Sequence, residues 1–140
     1  MKQVIPEERI AYLFRNLGQP ERVRILLAIG EGEACVCHLE AALGLRQAYI
    51  SQHLMALRDA RILTARRDGR FIFYRLANPG LLALIQEAGR LDGLRAAEFE
   101  KAMLALHNAV CACPKCGETG SLTVSGGASP PASQALIEVS

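Results

Sequence analysis

Asp68-Gly69 stands between two runs of strand-forming residues in a chain that otherwise reads as helix. Asp-Gly is among the strongest short hairpin signals, because both residues tolerate the backbone angles of a two-residue turn. Ile62-Leu63 on one side and Phe71-Ile72-Phe73-Tyr74 on the other supply β-branched and aromatic residues suited to paired strands. Arg67 and Arg70 flank the turn and make its tip basic. One basic hairpin in a helical chain restricts the fold to a mainly α architecture with a small β element.

The helices can be read from apolar spacing and from the residues that stop them. Glu7 to Leu17 places Ile10, Leu13, Phe14 and Leu17 on one face, and Gly18 ends it. Pro20 suits the first turn of a second helix, where its missing N–H costs nothing. That helix runs to about Ile29, with Val23, Leu26 and Leu27 inward, before Gly30 and Gly32 break it. A short helix follows over Cys37 to Leu43, with Gly44 placed for a left-handed cap. A longer one spans Gln47 to Ala60 with an apolar stripe of Ile50, Leu54, Leu57 and Ala60. Two helices joined by a short Gly-containing turn make a helix-turn-helix. A basic hairpin directly after it is a wing.

After the hairpin, Pro79 reopens helical sequence, with Leu81, Leu84, Ile85 and Ala88 in a stripe. Gly89 and Gly93 interrupt it and leave open one kinked helix or two. Phe99, Ala102, Met103, Leu106 and Val110 continue an apolar face. A terminal helix with such a face needs a partner, and a second copy is the simplest. The expected fold is a winged helix-turn-helix that forms a homodimer through terminal helices; packing on its own domain is the alternative use of the last stripe.

At 140 residues, about half of them hydrophobic, the chain is long enough for one domain with a compact core. Residues 1–110 are expected to form the DNA-binding and dimerisation domain, 111–116 a cysteine cluster, and 117–140, rich in Gly, Ser and Pro, a disordered tail. No stretch is apolar enough to span a bilayer, and the first residues lack a signal peptide's apolar core. That leads to an expectation of a cytoplasmic protein. No phosphate-binding Gly loop, no nucleophile with a recognisable base and no paired carboxylates point to an enzyme.

Three stretches resemble one family. Leu17-Gly18-Gln19-Pro20-Glu21-Arg22-Val23-Arg24-Ile25-Leu26 is similar to the opening of the ArsR/SmtB repressors. Ala34-Cys35-Val36-Cys37-His38-Leu39 resembles that family's metal-binding box, written ELCVCDL. Leu43 through Leu76 is similar to its recognition helix and wing, ending in Tyr74-Arg75-Leu76. The resemblance covers about residues 7–110 and implies a transcriptional repressor that leaves its operator on binding a thiophilic metal or metalloid. The chain departs from the box in two places. His38 stands where Asp is usual, and Glu40 where arsenic-sensing members often carry a third Cys.

Arg46, Arg58, Arg61, Arg66, Arg67, Arg70 and Arg75 face only Asp59 and Asp68 in the same stretch, an excess suited to binding phosphates. Sequence reading is expected from the second helix of the motif. Arg46 can pair with guanine, Gln47 and Gln52 with adenine, and Ser51 with a base or phosphate. Tyr49 and His53 are further candidates, and Arg67 and Arg70 would reach a phosphate or the minor groove. The expected partner is double-stranded operator DNA carrying an imperfect inverted repeat.

Five cysteines fall in two clusters: Cys35 and Cys37, then Cys111, Cys113 and Cys116. In a reducing compartment such clusters suggest metal or redox chemistry. Residues two apart diverge on a regular helix, so Cys35 and Cys37 can share one ion only at a helix start or a distortion. Cys113-Pro114-Lys115-Cys116 has a spacing common in zinc and redox sites. The second cluster either completes the first site, within or between chains, makes its own, or does neither. Three thiolates fit As(III) or Sb(III); four fit Cd, Pb or Zn better. Sensing of oxidants or reactive sulfur is the alternative on the same scaffold. His38 reads as a bystander beside Cys37.

Overall fold

The structure, a computed structural model, describes residues 5–109 and Cys111. Expectations placed on residues 112–140, including Cys113, Cys116 and the tail, lie outside the described residues.

The order is α1 (Pro6–Leu17), α2 (Pro20–Ile29), β1 (Ala34–Cys35), α3 (Val36–Leu43), α4 (Gln47–Asp59), β2 (Leu63–Asp68), β3 (Phe71–Leu76), α5 (Gly80–Leu91) and α6 (Ala96–His107). Proline opens both α1 and α2 in the first turn. Gly44 closes α3 in the left-handed region, φ 67°, with its N–H bonded to the Glu40 carbonyl. The chain therefore turns within Gly44-Leu45-Arg46 and starts α4. This is the helix-turn-helix.

Its core is where the two motif helices, α2 and the sheet meet. Ile25, Leu26, Leu39, Ile50, Leu54 and Leu57 are fully buried, and Leu63 and Cys35 nearly so. Each motif helix gives the core only the narrow stripe expected from its apolar spacing, so the rest of α4 faces outward.

β2 and β3 pair antiparallel from Leu63↔Leu76 to Asp68↔Phe71. Asp68 thus closes the ladder, and the turn residues are Gly69 and Arg70, one position later than Asp68-Gly69. Gly69 takes φ 63° while Arg70 keeps an ordinary negative φ. Glycine first is the pattern of a type II′ turn, which follows the strands' right-handed twist. A two-residue strand that the periodicity did not reveal, β1, adds to the other side of β3, giving the sheet order β1-β3-β2. Its register is Ala34↔Tyr74 and Cys35↔Phe73.

The sequence after the wing forms two helices. Gly89 stays inside α5; the break falls at Gly93, φ 92°, where the Leu94 N–H turns back to the Gly89 carbonyl. The stripe of α6 packs in part on the chain's own core: Leu106 is buried, and Phe99 and Met103 pack partly buried beside it. The break at Gly93 makes this possible by letting α6 fold back towards α2 and α3. Apolar residues stay exposed on both terminal helices, with Ile10 and Phe14 on α1 each 54 % and Leu104 on α6 61 % exposed. Among the described residues no helix is long and apolar enough to cross a membrane.

Candidate thiolate site and DNA-facing surface

Cys35 ends β1 and is also the N-cap of α3, with extended backbone angles of φ −88° and ψ 167°. Cys37 is the second residue of that helix. The divergence of i and i+2 side chains holds only when both lie on a helix. Here one is extended, and the two Sγ atoms come within 2.7 Å. Cys111, beyond the end of α6, arrives at the same point. The Sγ atoms of Cys35, Cys37 and Cys111 all lie within 4.8 Å of one another. Cys35 is buried at 2 % exposure; the other two are half-buried.

Among the described residues, no carboxylate or imidazole joins this group. His38 is half-buried, and its pKa is lowered first by burial and then by the nearby His107. Glu40 lies on α3, where its carbonyl accepts the Gly44 N–H. Three soft donors with one buried member suit a thiophilic ion of low coordination number.

The outward face of α4 carries most of the residues expected to read DNA. Arg46 is its N-cap; Gln47, Tyr49 and Gln52 are exposed and Ser51 is half-buried. Arg67 and Arg70 are exposed on the wing. His53 is placed differently. It is 6 % exposed, and its Nδ1 accepts a hydrogen bond from Arg22 Nε at 3.1 Å. Arg22 also donates to the carbonyl and side-chain oxygens of Asn16, at 3.1 and 3.3 Å. An imidazole accepting at Nδ1 is neutral and carries its proton on Nε2. Burial, and then the charge of Arg22, lowers the His53 pKa accordingly. Its ring meets Tyr49 edge-on, with centroids 4.7 Å apart. His53 ties the recognition helix to α1 and α2 instead of presenting itself at the surface.

Arg66, counted in the basic stretch, is also engaged. It makes two 3.0 Å hydrogen bonds to the Glu33 carboxylate, and its guanidinium lies 4.8 Å from the Phe73 ring centre. The hydrogen bonds from Arg66 hold the Glu33 carboxyl below its ordinary pKa. Sequence reasoning did not single out Arg22 or Glu33. Their partners lie 31 and 33 residues away, beyond any local pattern.

Residues 19–65, from α2 to the start of β2, match the sequence pattern described as bacterial regulatory protein, arsR family. The arsenical resistance operon repressor of Escherichia coli is 42% identical over 84 residues, spanning 57% of this chain and 72% of that protein. The chain belongs to the ArsR family. A second ArsR-family relative, the arsenic resistance transcriptional regulator ArsR1 of Pseudomonas putida, is 49% identical over 65 residues. That stretch is 46% of this chain and 51% of the relative. The fold agrees. The transcriptional repressor BigR from Xylella fastidiosa superposes with a TM-score of 0.57 at 32% identity, covering 61% of this chain and 87% of that one. The ArsR-family chain described here is thus a winged helix-turn-helix transcriptional regulator, and the proteins it resembles are regulators rather than enzymes.

Proposed function

We propose that this chain is a homodimeric repressor that holds operator DNA and is released when arsenite or antimonite binds Cys35, Cys37 and Cys111. The observation that carries the reading is the convergence of three thiols within 4.8 Å, two from the β1–α3 junction and the third from beyond the end of α6. Three thiols balance the chemistry of arsenous acid. Each S–As bond forms as an As–OH bond breaks, and each thiol proton leaves with a hydroxide as water. Trivalent arsenic then needs no fourth ligand. Cd, Pb or Zn would draw on a fourth thiolate, for which Cys113 and Cys116 are the candidates. Two relatives named for arsenic resistance support the same reading.

Operator binding follows from the exposed surface. Arg46, Gln47, Tyr49, Ser51 and Gln52 on α4 would meet base edges and phosphates, and Arg67 and Arg70 would flank them from the wing. Two copies would set their α4 helices roughly 34 Å apart, one turn of DNA, on an imperfect inverted repeat. Three thiols drawn onto one ion would pull on β1 and the start of α3. Only Gly44, Leu45 and Arg46 separate α3 from α4. A coupling of about 1–3 kcal/mol is enough for a 5–150-fold loss of DNA affinity.

The test is fluorescence anisotropy of the chain on its own promoter DNA, titrated with arsenite under reducing conditions. Release near one arsenite per protomer, lost in each of Cys35→Ser, Cys37→Ser and Cys111→Ser, is the expected result. Release by cadmium, lead or zinc alone would reassign the ion. A response that needs an oxidant or polysulfide, and that reductant reverses, would replace the metalloid with sulfur chemistry at the Cys35–Cys37 pair, whose Sγ atoms lie 2.7 Å apart.

A further inference from the structure

Cys35 and Cys37 are set by β1 and α3, but Cys111 comes from beyond the end of α6. Whatever fixes that end decides whether the third thiol reaches the other two. The body of α6 is held by Phe99, Met103 and Leu106 against the core. Its last residue is held by something more specific. His107 Nε2–H donates to the Leu27 carbonyl at 2.8 Å. Leu27 lies in the last turn of α2, where carbonyls lack a partner within the helix.

Gly30 completes the contact. A Cβ on Gly30 would stand 2.8 Å from His107 Cε1, closer than packed atoms allow, and 3.1 Å from Nε2, so the ring would have to shift. Gly30 also has φ 59° and ψ −140°, a combination that side chains disfavour. A carbonyl needing a donor and a glycine leaving room for a ring converge on one imidazole, four residues before Cys111. His107 does not itself join the thiol group.

We infer that His107 is the positioning residue for Cys111: by pinning the end of α6 to the end of α2, it brings the third thiol to the Cys35–Cys37 pair. This rests on the three-cysteine reading above. It assigns His107 no ligand role and no part in DNA binding.

The experiment uses the full chain and compares His107→Ala, His107→Gln, Gly30→Ala, Cys111→Ser and the double variant His107→Ala/Cys111→Ser. Arsenite affinity, the ultraviolet absorption of arsenic–thiolate bonds per protomer, operator affinity without arsenite, and the thermal midpoint are measured on each. Cys111→Ser calibrates the loss of the third thiol. His107→Ala is expected to weaken arsenite binding about 10–100-fold, as loss of a supporting partner does at metal sites. It should lower the arsenic–thiolate absorption towards that of Cys111→Ser and leave operator affinity unchanged. The double variant should be no worse than Cys111→Ser alone. His107→Gln, whose amide N–H can still donate to a carbonyl, restores binding. Gly30→Ala, which keeps every hydrogen-bonding group but fills the ring's space, reproduces the loss. If His107→Ala destabilises the fold, the contrast between the Gln and Gly30→Ala variants decides. Wild-type arsenite affinity in His107→Ala while Cys111→Ser has lost it, or additive losses in the double variant, would overturn the assignment. Wild-type affinity in Cys111→Ser would instead overturn the three-cysteine reading itself.

Discussion

Cys35 stands directly opposite Phe73 across the β1–β3 pairing, and Phe73 stands opposite Arg66 across β3–β2. Residues directly opposite in an antiparallel pair project from the same face. One row therefore runs from a thiol of the candidate site, through a buried ring, to an arginine of the wing. Arg66 then returns to Glu33, two residues before Cys35, by its paired hydrogen bonds. The segment carrying the thiols and the strand carrying the wing are tied twice.

Glu33→Gln removes one of those ties. The Arg66 side chain is 52% exposed, so solvent screens the ion pair, it adds little to stability, and the fold should persist. The expected effect is on coupling. The arsenite-induced drop in operator affinity should shrink by about 0.5–2 kcal/mol, or two- to thirtyfold. Arg66, released towards phosphate, should steepen the salt dependence of DNA binding. Anisotropy titrations at two salt concentrations, with and without arsenite, check both. An unchanged arsenite response in Glu33→Gln would remove the sheet from the signalling route.

His53 gives stability a pH dependence whose sign follows from its surroundings. Burial first, and Arg22 second, lower its pKa in the folded chain below the usual value of about 6.5. Below that pH the unfolded chain binds the proton more readily than the folded one. Stability is therefore complete above about pH 6.5 and declines as pH falls. His38 is lowered in the same direction, also mainly by burial, and adds to the slope. His53→Gln, which cannot titrate and can still accept from Arg22, should flatten part of the decline between about pH 7 and pH 5. Urea unfolding at a series of pH values measures it, and equal slopes in both proteins would exclude His53. Arg22→Ala should cost about 1–3 kcal/mol by leaving a buried acceptor without its donor.

The proposed dimer is expected to use α1. Ile10 and Phe14 are each 54% exposed there. Beside them an open groove of about 960 Å³, lined by Ile10, Leu13, Leu81 and Leu84, runs between α1 and the start of α5. Ile10→Glu should change the protomer's own stability by no more than about 0.5 kcal/mol, because the residue is at its surface. It should shift the chain from dimer to monomer and sharply weaken binding to a two-half-site operator. Light scattering with size-exclusion chromatography reads the first effect and anisotropy the second. An Ile10→Glu protein that stays dimeric at wild-type dilution would place the interface elsewhere.

Most of the fold was legible because its signals act over short distances. Apolar spacing marked α1, α2 and α4, Pro20 marked the start of α2, and Gly44 the end of α3. Each of these works within a turn or two of chain. The wing announced itself through Asp68-Gly69, although the ladder settled on Gly69-Arg70 as its turn. Two residues of β1 were too few to show an alternation. The stripes on α1 and α6 read alike, because periodicity says which residues share a face and not what covers it.

The site shows the same division. The sequence by itself determined the winged helix-turn-helix, its basic α4–wing surface, and Cys35 and Cys37 as a soft-donor pair, since each depends on neighbouring residues. Tertiary structure decided the rest. It set Cys35 on an extended cap so that both Sγ atoms converge, folded α6 back to deliver Cys111, turned His53 inward onto Arg22, and engaged Arg66 with Glu33. Apart from the neighbouring Cys35 and Cys37, these partners are 31 to 76 residues apart, the widest being Cys35 and Cys111 (111 − 35). Contacts at that range are fixed by how whole helices pack, and packing follows the combined burial of many side chains rather than any local pattern.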